Sequence, residues 1–160
     1  MKLPLTLPVI TALVVSSLVT GCAGHHAAEH APYTPGLGEI MSMTSTRHAK
    51  LWFAGQGQNW ALAEYELEEL REGFEDAAKY HPTHKEITQP IPKLIATTMD
   101  HSMDEVEKAI KAKNILLFTQ HFDAVTAGCN ACHQASAFGF NIVTRPTSNA
   151  FSNQVFSTAP

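Results

Sequence analysis

The stretch NILLFTQHFDAVTAGCNACH, Asn114 to His133, joins a helical pattern to a chemical motif. Asn114 suits a helix N-cap, because its short side-chain carbonyl can accept from the first unpaired amides. Ile115, Phe118, Phe122, Val125, Cys129 and Cys132 then recur at three- and four-residue spacing, so they share one face. That face ends in Cys129-Asn130-Ala131-Cys132-His133. Two cysteines, two residues between them and a following histidine are the attachment signature of a c-type haem. Each thiol adds to a vinyl group of the porphyrin, and the histidine reaches the iron from one side. The expected cofactor is one covalent haem c, held by Cys129, Cys132 and His133.

Paired cysteines also serve as redox thiols or as half of a zinc site. Here no second pair exists and no strand–helix–strand pattern surrounds the motif. Haem attachment requires export, and the start of the chain reads as an export signal. Met1 and Lys2 precede LPLTLPVITALVVSSLVTG, residues 3–21, which carries no charge, is short for a membrane span and contains Pro4 and Pro8. It closes on LVTGC, Leu18 to Cys22, which resembles a bacterial lipobox. The reading is a signal peptide over 1–21 and lipidation of Cys22; ordinary cleavage near Ala23 or Ala28 would instead leave a soluble protein. Acyl chains on Cys22 would hold the chain at a membrane surface, periplasmic and, from Ala23 after the lipid cysteine, at the outer membrane. The three cysteines are then all used, which suits an exported protein.

Residues 22–36 read as a flexible tether, with Pro32, Pro35 and Gly36 against regular structure. His25, His26, Glu29 and His30 in it could meet a metal ion, although nothing orders them. From Leu37 the period becomes helical, with Ile40, Thr44, His48, Leu51 and Gly55 on one face and Gly55 and Gly57 closing the helix. A second helix runs from the cap Asn59 to Tyr80, burying Trp60, Ala63, Leu67, Leu70, Phe74 and Ala77. Its other face is acidic, a solvated surface or a dock for a basic redox partner. After a proline-rich loop a third helix starts near Pro92; Ser102 and Glu105 have capping-box spacing, so it can break there. Asn114 opens the fourth.

Four amphipathic helices with no strand pattern predict an all-α fold, an antiparallel four-helix bundle over 37–136. The tail, 137–160, is expected to be irregular, with Phe140, Ile142, Phe151 and Phe156 carrying part of it over the bundle. A chain of 160 residues with 44% hydrophobic and 16% charged residues suffices for one such domain. Its formal net charge of −4 argues against nucleic acid as a partner. No nucleophile–base pair, phosphate loop or paired acid site points to an enzyme.

A bundle with its haem motif in the last helix resembles the class II cytochromes c, the cytochrome c prime group. RHAKLWFAGQGQNWALAEYELEEL, Arg47 to Leu70, and the RPT of the tail are similar to monohaem bacterial relatives. In that group a residue of the first helix sets the sixth iron position. The resemblance, with helical phase, makes Met41 the distal ligand; Met43 lies nearer the edge of the stripe, and His48 is a rival two turns on. Arg47 and Arg145 are the arginines expected near the haem propionates. The resemblance implies a carrier of single electrons between redox partner proteins, and it leaves room for a homodimer through exposed helix faces. If nothing from the first helix binds iron, the distal pocket would instead take nitric oxide, carbon monoxide or peroxide.

Overall fold

A computed structural model describes residues 32–158, apart from Glu86. The stretch expected to be an export signal, Cys22 and His25, His26 and His30 lie outside the described residues. The described chain holds five helices: α1 Leu37–Gln56, α2 Trp60–Tyr80, α3 Ile91–Thr98, α4 Asp100–Lys111 and α5 Ile115–Ala135. No strand occurs among the described residues; one isolated bridge pairs Gln58 with Ser157. The fold is all-α. No helix among the described residues is long and apolar enough to cross a membrane.

Local chemistry explains the helix starts. The Asn59 side chain accepts from Leu62 N–H at 3.3 Å, and that of Asn114 accepts from Leu116 and Leu117 N–H, both at 3.1 Å. Each replaces an intrahelical partner that the first turn lacks. At the end of α1, Gly57 is the C-cap with ordinary right-handed angles (φ −76), and the left-handed residue is Gln58 (φ 52). Gly55 lies inside α1 instead of closing it. A β-carbon there would come within 2.1 Å of the Phe118 ring, so its smallness serves packing against α5.

The expected third helix is two helices, and the division falls at Met99, ahead of the Ser102 capping box. Thr97 Oγ1 donates to the carbonyls of Lys93 (2.9 Å) and Leu94 (3.0 Å), and Thr98 Oγ1 donates to that of Leu94 (2.8 Å). Hydroxyls bonded back to carbonyls one turn earlier bend a helix. The chain continues through Met99, still near helical angles (φ −116, ψ −41), and Met103 N–H bonds the Met99 carbonyl at 3.0 Å. The bend is packed on α5: a β-carbon at Gly128 would stand 2.4 Å from the Thr98 carbonyl oxygen and 2.9 Å from Met99 Sδ.

α1 packs chiefly on α2 and α4 chiefly on α5, with α2 also meeting α3 and α4, and α5 meeting α1 and α3. The shared core is aromatic at its centre. Phe118 and Phe122 are fully buried and pack with Trp52. Burial of each such side chain contributes about 1.5–3 kcal/mol. Arg71 of α2 ties α4 through Asp104 (3.0 Å) and Glu107 (3.1 Å). The tail returns over α1, with Phe156 buried against Phe53 and Phe151. Phe140 and Ile142 do not join it; they are 80% and 71% exposed.

Candidate functional site

The start of α1 and the end of α5 meet at one end of the fold, where they enclose a cavity of about 790 Å3 with α3 and the 81–90 loop. Met41 enters it from α1, Phe74 from α2, Leu94 and Ile95 from α3, and Cys132 and His133 from α5. The helical period explains the α1 face. Leu37, Met41 and Ser45 are spaced by four and line the cavity, while Ile40, Thr44 and His48, one position aside, are buried in the core. Its size is that of a site for a cofactor-sized ligand, and its walls are mainly apolar.

His133 is held by its main-chain surroundings. Its Nδ1 is 2.5 Å from the Asn141 carbonyl oxygen. A carbonyl only accepts, so Nδ1 carries the proton and Nε2 keeps its lone pair. Cys129 and Cys132 are free thiols, half-buried and one turn apart on α5. Burial pushes the Cys129 thiol up to about 12, with Cys132 adding to the effect. Burial also raises the Cys132 thiol, partly offset by the Thr98 hydroxyl.

The other sequence-derived candidates fall elsewhere. Met43 is 54% exposed and does not line the cavity. His48 lies in the core, with Nε2 2.8 Å from Thr126 Oγ1. Arg47 is engaged by α2, 3.1 Å from Glu66 and 2.6 Å from Glu69. Arg145 pairs with Asp123 and lies over the Trp52 ring, 4.6 Å from its centroid. Neither arginine lines the cavity. No group of three or more His, Cys, Asp and Glu side chains placed to hold a metal ion occurs among the described residues.

Two residues of the proline-rich loop also line it: His84 and Lys85. The loop that carries them is fastened to the start of α1, since His81 Nε2 donates to the Pro35 carbonyl at 2.8 Å. Ile91 N–H bonds the Pro82 carbonyl at 3.0 Å and closes the loop on itself. Among the described lining residues there is no carboxylate, and Lys85 is the one permanent cation. The prolines of the loop signalled irregular chain, but no local signal tells which way Lys85 turns.

No protein-family model, no curated protein and no solved structure matches this chain.

Proposed function

We propose that the chain is an exported c-type cytochrome of the class II type, built on an antiparallel four-helix bundle in which the bent α3–α4 pair counts as one helix. Haem would supply one-electron iron chemistry, and the protein its ligands and a mainly apolar pocket. The observation that carries the reading is that Met41, Cys132 and His133, from opposite ends of the chain, line one apolar cavity. The residues present fit the group: Cys132 and an oriented imidazole with a free Nε2 lone pair line a space bounded by Phe74, Leu94 and Ile95, while Cys129, one turn back and packed against the core, completes the motif spacing.

In this reading Cys129 and Cys132 hold the porphyrin, His133 is the proximal ligand and Met41 the distal one. A thioether is soft and neutral, so it favours reduced iron. Methionine and histidine fixed on packed helices change little between oxidation states, which suits a carrier of electrons over an enzyme. Lipid at Cys22 would tether the carrier to the periplasmic face of the outer membrane, where it would meet redox partner proteins.

A visible spectrum of the purified protein, oxidised and reduced, tests this. Sharp reduced bands and a weak far-red band in the oxidised protein are expected, the latter lost in Met41→Ala. A broad high-spin spectrum that shifts on adding carbon monoxide would replace electron transfer by gas binding. A purified protein with no haem absorption would end the cytochrome reading.

A further inference from the structure

Asn130 is the first spacer residue between the two cysteines, and its side chain has a task of its own. Nδ2 donates to the Val143 carbonyl at 2.9 Å, while Oδ1 accepts from Val143 N–H at 2.8 Å. One side chain on α5 therefore satisfies both main-chain groups of one tail residue, as a neighbouring strand would. The intervening chain must double back along α5. Phe138 N–H bonds the His133 carbonyl at 2.7 Å, and Asn141 N–H bonds the Phe138 carbonyl at 2.8 Å. This turn delivers the Asn141 carbonyl to His133 Nδ1. The side chains around it give little other anchorage, since Phe140 and Ile142 face solvent. Val143 is two residues from Asn141, a span of at most about 7 Å, so fixing one leaves the other little freedom.

We infer that Asn130 is a positioning residue: by clamping Val143 it fixes the Asn141 carbonyl on His133 and so sets how strongly His133 donates to iron. The inference rests on the reading of His133 as the proximal ligand. A carbonyl accepting the Nδ1 proton raises the basicity of Nε2 and holds the ring in place. Losing it weakens donation to the oxidised metal, so the reduction potential rises. No side-chain substitution at position 141 can delete a main-chain carbonyl; Asn130 is the accessible handle.

The experiment compares midpoint potential and urea stability of the holoprotein for wild type, Asn130→Ala and Val143→Pro. The second variant breaks the same clamp from the tail side, because proline has no N–H to give to Oδ1. Both are expected to shift the potential upward, and the double variant should shift it by less than the sum, since both variants act on the same clamp. Potentials equal to wild type, with or without a loss of stability, would reduce Asn130 to a structural tie and overturn the inference. If Asn130→Ala yields no folded holoprotein, Val143→Pro alone decides by the same criterion. A wild-type protein without covalent haem would remove the ligand reading itself, an outcome distinct from an unshifted potential.

Discussion

His48 and Thr126 form a buried polar pair between α1 and α5, with Nε2 2.8 Å from Oγ1. The Thr126 hydroxyl donates its single proton to the Phe122 carbonyl at 3.1 Å. Its oxygen therefore accepts from His48 Nε2–H. The ring lies 4.5 Å from the Phe122 ring centroid and is 3% exposed. Burial holds its pKa down to about 4, from an ordinary 6.5.

A pH dependence of stability follows from that pair. Between pH 6.5 and 4 the unfolded chain takes a proton on this histidine that the folded chain refuses. The stability present above 6.5 is lost as the pH falls through that window, by about 3 kcal/mol in all. His48→Phe keeps an aromatic ring against Phe122 and has nothing to titrate, so its stability should vary less with pH. Urea unfolding at pH 7 and 4.5 measures the difference; equal slopes in the two proteins would show that His48 is not the group responsible.

Arg47 and Glu66 carry a larger single cost. The Glu66 side chain is 1% exposed, and its carboxylate is matched by the Arg47 guanidinium at 3.1 Å. Arg47→Ala leaves that carboxylate buried without a counter-charge and should destabilise by about 3–5 kcal/mol. Glu69 also meets Arg47, at 2.6 Å, but its side chain is 26% exposed. Glu69→Ala should cost no more than about 1 kcal/mol. Chemical denaturation of the two variants reads the contrast directly, and similar losses would contradict it.

The starts of α2 and α5 were legible because their causes are local: Asn59 and Asn114 each cap with a side chain that reaches only its own first turn. The buried stripes were legible for the same reason, since a period reports one face. Partner choice is not local. Nothing near Arg47 in the sequence says that Glu66 and Glu69 take its guanidinium. The bend after Thr98 competes with a capping box three residues on, and packing against Gly128 is visible only once α5 is present. The tail divides likewise: Phe156 is buried where Phe140 is not, although both are phenylalanines in similar company.

Lys85 gives a prediction about the cavity's charge. It is the permanent cation among the described lining residues, with no carboxylate opposing it. A positive charge near a redox centre favours the more reduced state. If the cavity holds haem as proposed, Lys85→Glu should lower its midpoint potential, and high salt should shrink the effect because the lysine is exposed. Asp123 already pairs with Arg145 outside the cavity, so Arg145→Gln should shift the potential less. A potentiometric titration of the three proteins at low and high salt decides; a larger shift from Arg145→Gln would move the influential charge out of the loop.

Gly128 and Gly55 test how closely α5 is approached. In an exposed helix interior, glycine to alanine is stabilising by about 1 kcal/mol. Here both glycines are packed, so the steric term opposes that gain. At Gly55 the added methyl meets the Phe118 ring at 2.1 Å, and that ring is confined among Trp52, Trp60 and Phe122. At Gly128 it meets the Thr98 carbonyl oxygen at 2.4 Å, which belongs to main chain and moves only with the whole bend. Overpacking of this kind costs about 1–3 kcal/mol. Both variants should lose stability, and Gly128→Ala should lose more, because no side-chain rotation relieves it. It should also change the surroundings of the neighbouring Cys129, where Gly55→Ala, on α1 against Phe118 near the start of α5, should not. Thermal unfolding gives the order of the two losses. A stabilised Gly128→Ala would mean that the bend at Met99 stands off from α5, and that its contact with the motif is looser than the distance to Thr98 requires.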